Sequence, residues 1–225
     1  AVTFCPDPEI FGEKPYFRPS TLYRMARSKA YLFAGVEIRW RCDPALLAND
    51  DPVPAEAVLH YPGGLSDYLN DATADTALLV STPFADLVEL DGQKFEWAIT
   101  WLSAGDDGFF HSYCNTVPTP SGGTHEAGFR QAITRALRSF GDLAGNRKAA
   151  EITADDVFAG TAVMLSVFLR DPQFQGQTKD RLVSADATRQ TEQAARDRFE
   201  QWLAADAARA NFLLDAAIER AEERK

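Results

Sequence analysis

Three clusters of polar residues have the composition of ligand or catalytic sites. The first is Asp171-Pro172-Gln173-Phe174-Gln175-Gly176-Gln177-Thr178-Lys179, directly after an apolar run. Proline and glycine bracket a loop that presents Gln177, Thr178 and Lys179 in a row. Lysine is a compact cation and glutamine a neutral donor, so together they suit the terminal phosphate of a nucleotide, where charge is met without proton chemistry. The Gly-x-x-x-x-Gly-Lys spacing of a Walker loop is absent, and on the residues alone a solvated polar turn is the simpler reading. The second cluster is Gly122-Gly123-Thr124-His125, ahead of a helical pattern. Two glycines at a helix N-terminus can admit a phosphate against free amides. They equally make a tight strand-to-helix turn, the reading preferred here. The third is His111, Cys114 and His125. Zinc needs four converging ligands, and a thiol nucleophile needs a base oriented by a third group. His111 and Cys114 lie three apart on an expected strand and point to opposite faces, which argues against both.

Alternating strands and helices must position these clusters. Ser20 to Ala34 reads as a helix with Leu22, Met25, Ala26 and Leu32 toward the core, followed by a strand at Val36 to Trp40. Residues 43 to 55, rich in proline and aspartate, form a surface loop or linker. Gly63-Gly64 opens a short helix through Leu65, Tyr68 and Leu69. Leu87 to Leu90 and Lys94 to Trp101 alternate on either side of Asp91-Gly92, a dipeptide that favours type I′ turns, so a hairpin is expected with its acidic residues on a solvated face. Phe109 to Thr116 is a further strand, ending in a loop from Pro118 to Gly123. Thr124 is expected to cap a helix that runs to about Phe140. Thr153 with Asp156 forms a carboxylate variant of the capping box. The run Ala162 to Leu169 has the continuous apolar character of a strand buried on both faces. From Asp186 onward one or two long helices carry Phe199, Trp202, Leu203, Phe212, Leu213 and Ile218 on one stripe and arginines on the other. The pattern is that of an α/β domain closed by C-terminal helices.

Composition narrows the class. The 225 residues are 45% hydrophobic and 25% charged, ordinary for a globular chain. The longest nearly apolar run, Ala162 to Leu169, falls far short of the roughly 20 residues a membrane-spanning helix needs, so no membrane association is expected. The opening residues lack the basic start and apolar stretch of a secretory signal. Three cysteines without a Cys-x-x-Cys pair suit a reducing cytosol, and a cytoplasmic location is expected. A formal charge of −10 argues at first sight against a nucleic-acid partner. The acidity is local, however. Residues 1–41 carry a net charge of +3, residues 42–111 carry −12, and residues 112–225 carry −1.

Four stretches, in order, resemble one family. They are Val2-Thr3-Phe4 with Pro6-Asp7-Pro8-Glu9-Ile10-Phe11; Leu32 to Ile38 with Tyr61-Pro62-Gly63-Gly64-Leu65; His111 to Arg130, containing Gly122-Gly123-Thr124-His125-Glu126-Ala127-Gly128; and Asp171 to Leu182. Together they are similar to the B subunits of bacterial type IIA DNA topoisomerases, nearer to the topoisomerase IV branch than to the gyrase branch, and the resemblance spans essentially the whole chain. It implies an α/β (α+β) architecture. Residues 1–55 would be the C-terminal tail of a Bergerat-type (GHKL) ATPase domain. Residues 56–225 would be a transducer domain similar to domain 2 of ribosomal protein S5, with a left-handed βαβ crossover, one of the rare exceptions to the right-handed rule, and C-terminal helices.

The resemblance also implies roles. Gln177 and Lys179 would contact the γ-phosphate of ATP, with Lys179 the catalytic residue, while Thr178 shapes the loop and Gly122, Gly123 and Thr124 stay structural. The family uses ATP and Mg²⁺, acts on DNA as an ATP-hydrolysing isomerase with a topoisomerase A subunit in a heterotetramer, and dimerises through its ATPase region. Its Mg²⁺-holding Asn, water-activating Glu, adenine-binding Asp and glycine-rich lid would all lie upstream of Ala1. The chain is therefore expected to be a fragment, inactive alone and without a metal site of its own. Arg189, Arg196, Arg198 and Arg209 are candidates for DNA contact or, equally, parts of solvated helix faces. The acidic middle block would face away from nucleotide and DNA. The alternatives are the B subunit of gyrase, which supercoils, and a non-catalytic S5-like interaction module.

Overall fold

The computed structural model describes residues 1–12, 17–47, 52–103 and 107–225. Their contacts divide the chain into two units, Ala1–Gly64 and Leu65–Lys225.

In the first unit a short helix α1 (Pro8–Phe11) is capped by Asp7, whose carboxylate accepts the Glu9 amide at 2.9 Å. Helix α2 (Pro19–Leu32) leads into strand β1 (Glu37–Arg41), which pairs antiparallel with β2 (Glu56–His60) in the register Ile38↔Leu59 and Trp40↔Ala57. Strand β2 is not among the elements expected from sequence. Five residues with only Val58 and Leu59 as strong strand formers carry too weak a pattern to stand out. The apolar stripe expected along α2 is buried only at its end. Ala30, Tyr31 and Leu32 are fully buried, with Tyr31 stacked on Tyr61 at 3.7 Å, whereas Met25 is 54% exposed. Two five-residue strands are too small to cover a 14-residue helix. Because β2 pairs with β1, it belongs to this unit. The division between the units falls after Gly64.

The second unit begins with α3 (Leu65–Ala72) and is built on a five-stranded sheet: β3 (Phe84–Leu90), β4 (Gln93–Trp101), β5 (Phe109–Cys114), β6 (Val117–Pro118) and β7 (Thr161–Phe168). Their spatial order is β3-β4-β7-β5-β6. The expected hairpin is present: β3 and β4 pair as Val88↔Phe95 and Glu89↔Lys94, and Asp91 and Gly92 have φ of 52° and 72°. Two successive positive φ values are what a type I′ turn requires. Strand β7 lies in the centre, antiparallel to β4 and parallel to β5, and is buried from Thr161 to Val167, as its unbroken apolar run implies.

The connection from β5 to β7 passes through β6, the 20-residue helix α4 (Thr124–Leu143), a 3-10 turn (Arg147–Glu151) and α5 (Ala154–Phe158). After β7 come α6 (Ala185–Ala204) and α7 (Ala207–Glu223), so the C-terminal segment is two helices. Helices α4 and α6 pack on the face of the sheet that carries Trp97, Trp101 and Phe84, and Phe129, Phe199 and Trp202 interleave with those rings at centroid distances of 5.0 to 6.2 Å. They approach so closely that a Cβ on Gly128 would lie 2.2 Å from the Thr188 carbonyl oxygen.

Two expectations are corrected here. Glu96, expected on a solvated face, is 6% exposed: its Oε1 accepts the amide of Leu65, the first residue of α3, at 3.0 Å, and Lys94 lies 3.5 Å from Oε2. The second face of the sheet is therefore covered, and the carboxylate holds the start of the covering helix, where an anion is favoured. Thr124 is not the cap of α4. Gly123 occupies that position, and Thr124 lies in the first turn with its backbone engaged on both sides, its amide donating to the Leu182 carbonyl and its carbonyl accepting from Thr188 Oγ1, each at 3.0 Å. The Thr153–Asp156 capping box forms as expected. Asp156 is also gripped by Arg224 from the end of α7 at 2.9 Å, which holds its carboxyl down at about 2.

Candidate functional site

The loop after β7 is held from three sides. Asn115, at the β5–β6 turn, clasps the strand end: its Oδ1 accepts the Leu169 amide at 2.8 Å, its Nδ2 donates to the Leu169 carbonyl at 3.0 Å, and its own amide donates to Val167. Phe174 and Leu182 then form a bridge that closes residues 175–181 into a small loop, tied by the Gln175 amide on the Arg181 carbonyl at 2.9 Å and the Val183 amide on the Gln173 carbonyl at 2.8 Å. The third side is the segment before α4. Ser121 N–H donates to Asp180 O, Leu182 N–H to Gly122 O and Thr124 N–H to Leu182 O, all at 3.0 Å. Gly123 bridges Leu182 so tightly, at φ 141°, that a Cβ there would meet the Leu182 carbonyl oxygen at 2.2 Å. The second cluster of the sequence is thus the seat of the first, and glycine is required because one backbone lies directly on another.

At the tip, Gln177, Thr178 and Lys179 are all exposed. Lys179 adopts a left-handed backbone (φ 61°), with its amide directed back to the Gly176 carbonyl at 3.4 Å. Its ammonium lies 5.8 Å from the centre of the Phe174 ring and is in no carboxylate ion pair among the described residues. A cation and an amide are therefore presented side by side on an anchored turn, which suits an anion carried by another body.

Beneath this seat lies a polar network. Ser112 Oγ is 2.6 Å from both Thr119 Oγ1 and Glu126 Oε1, and Thr119 Oγ1 is 3.1 Å from His125 Nε2. His125 is fully buried, and burial depresses its pKa to about 4. Burial pushes the Glu126 carboxyl up, against the opposing pull of Ser112, Arg130 and Arg181. The third cluster does not assemble. His111 is exposed, and Cys114 is buried in the core with its thiol pushed up to about 12, far from the range of a nucleophile. Among the described residues no group of three His, Cys, Asp or Glu is placed to hold a metal ion.

The four arginines do not form one patch. Arg189 and Arg196, seven apart on α6, share a face and are exposed beside acids of their own helix: Arg189 lies 4.0 Å from Asp186, and Arg196 donates to Asp197 at 3.3 Å and lies 4.0 Å from Glu200. Arg198 lies on the opposite side and pairs with Asp86 of β3 at 3.6 Å. Arg209 is half-buried over the Trp202 ring at 3.6 Å and donates to the Trp202 carbonyl. Arg181 and Asn115, both within the stretches that carry the resemblance, have no role in the sequence reading. Only the bonds between distant segments expose what they do.

The family model for DNA gyrase B matches residues 64–225, which includes the whole second unit, and the chain belongs to that family. Among its relatives, the B subunit of DNA topoisomerase 4 from Caulobacter vibrioides is 50% identical over 99% of this chain and 32% of its own length, and that from Rickettsia felis is 43% identical over 100% of this chain and 34% of its own. The chain thus spans about a third of the curated relatives it matches. Among solved structures, the 43K ATPase domain of Thermus thermophilus gyrase B in complex with an aminocoumarin aligns with a TM-score of 0.78 and 28% identity, covering 97% of this chain and 57% of that one. The topoisomerase IV ATP-binding domain of Francisella tularensis, at 24% identity and a TM-score of 0.78 over 96% of this chain and 56% of that one, shows the shared mixed α/β fold.

Proposed function

We propose that this chain is the part of a topoisomerase IV B subunit that senses the nucleotide and relays its state to DNA strand passage. The observation that carries this reading is the exposed Gln177–Lys179 tip, held by a glycine seat, in a chain of this family. Relatives named as B subunits of topoisomerase 4 favour that enzyme over gyrase. The second unit is read as the transducer, similar to domain 2 of ribosomal protein S5, with the β5-to-β7 crossover left-handed. The first unit is read as the tail of the ATPase domain.

The residues at the tip fit a terminal phosphate: one full positive charge, one neutral amide donor and no acidic neighbour paired to the cation among the described residues. ATP, when bound, supplies a γ-phosphate whose departure after hydrolysis removes the anion that Lys179 meets. Lys179 donates to the phosphate oxygens and Gln177 adds a neutral hydrogen bond, while the seat at Ser121–Thr124 carries the resulting pull into α4. A charge-assisted bond of this kind biases an equilibrium between two arrangements by roughly ten- to a hundredfold, enough to make the loop a switch. Mg²⁺ would be held by other residues of the complete B subunit. The partners are DNA and a topoisomerase A subunit in a heterotetramer, with homodimerisation through the ATPase region and a cytoplasmic setting. Of the arginines, Arg189 and Arg196 are assigned to face DNA, because both are exposed and their acidic partners all lie on their own helix. Arg198 and Arg209 are engaged within the fold.

The test is Lys179→Ala in the complete B chain assembled with its A subunit. ATP turnover and decatenation are expected to fall by at least about a hundredfold with the thermal unfolding midpoint unchanged. Wild-type turnover in this variant removes Lys179 from the mechanism, and supercoiling in place of decatenation by the unsubstituted complex assigns the chain to gyrase.

A further inference from the structure

Lys179 is a flexible side chain on an exposed tip, so its usefulness depends on how firmly the two legs of the loop are held. The first leg is fixed by the Phe174–Leu182 bridge and the Gln175 amide. The second leg, Asp180 to Leu182, lies along Ser121 to Thr124, and one side chain spans that seam: Arg181 Nη1 donates to the Ser121 carbonyl at 3.1 Å. With the Ser121 amide on the Asp180 carbonyl, the two segments hold each other in both directions at one residue. Beside this point stands Glu126, fixed by Ser112, with its Oε2 only 2.7 Å from where a Cβ on Gly122 would be. Of the two cations in its field, Arg130 is already engaged with Asp155 and the Phe158 ring. Arg181 is the one at the seam.

We propose that Arg181 is a positioning residue for Lys179: its bond to the Ser121 carbonyl locks the second leg of the loop and presents the ammonium in one place. The inference rests on the reading of Lys179 as the phosphate ligand. Arg181 points back into the seat rather than out with the tip, so it acts through Lys179 and not on the phosphate.

The experiment compares Arg181→Met, Arg181→Lys and Lys179→Ala in the complete B chain with its A subunit. Arg181→Met is expected to lower kcat for ATP about tenfold with KM within a factor of two and the unfolding midpoint unchanged, and Arg181→Lys to recover most of the loss. In the nucleotide-free protein, cleavage by endoproteinase Lys-C after Lys179 should quicken about tenfold in Arg181→Met, because the tip then samples open conformations more often. Wild-type kcat in Arg181→Met alongside an inactive Lys179→Ala overturns the positioning role and leaves the phosphate reading intact. Full activity in Lys179→Ala overturns the phosphate reading itself. A lowered kcat with unchanged Lys-C cleavage also overturns the proposal, since Arg181 would then act on the nucleotide directly.

Discussion

His125 and Cys114 look alike in the sequence as potential reactive groups, and burial decides against both. His125 has Nε2 against Thr119, and among the described residues Nδ1 has no partner, so the ring is held neutral with a pKa near 4. An ordinary histidine in the unfolded chain titrates near 6.5. Between those values the unfolded state binds the extra proton, so stability is complete above pH 6.5 and declines as pH falls toward 4. The shift corresponds to about 3 kcal/mol. Urea unfolding from pH 7 to pH 4 should therefore show a decline in wild type that His125→Gln lacks. Glu126, whose raised carboxyl titrates with the opposite sign, contributes to both proteins and cancels in the comparison. Equal pH slopes would show that His125 is not buried neutral. Lys179 is the reverse case: its residue type and its place between Gly176 and Asp180 are plain in the sequence, but its exposure and left-handed backbone depend on a seat some sixty residues earlier in the chain.

At the scale of elements, local pattern located what local physics controls. The Asp91-Gly92 turn, the apolar run of β7 and the Thr153–Asp156 capping box formed where they were expected, because each depends on neighbours within a few residues. Strand β2, the burial of Glu96 and the start of α4 differ from the local pattern, because each is set by a distant partner: β1, Leu65 and Leu182. Helices α4 and α6 are in close contact, where Gly128 faces the Thr188 carbonyl and Thr188 Oγ1 donates back to Thr124. Gly128→Ala should force these helices apart and lower stability by about 1–3 kcal/mol, despite the gain in helix propensity alanine normally brings. The denaturation midpoint measures this. An unchanged or raised midpoint would mean the helices pack less tightly than described.

Across the whole molecule, a charge of −10 conceals a division of labour. The acidic excess sits in residues 42–111, and one of its carboxylates, Glu96, is consumed inside the fold. If Arg189 and Arg196 face DNA, replacing both with Gln in the complete B chain should reduce the slope of log affinity against log salt by about 2, roughly one per lost phosphate contact. The pair Arg198→Gln and Arg209→Gln should leave that slope unchanged, since those side chains are committed to Asp86 and Trp202. A slope insensitive to the first pair would make α6 a solvated face. Consecutive positions set the alternation of strands and helices, the family and the residue types of the Gln177–Lys179 loop, because periodicity, turn residues and ordered motifs are local features of the chain. Tertiary contacts alone set which arginines bond outside their own helix, which carboxylate is buried, where the two units divide and that the paired glycines are the seat of the Lys179 loop, because each of those depends on segments far apart in the chain.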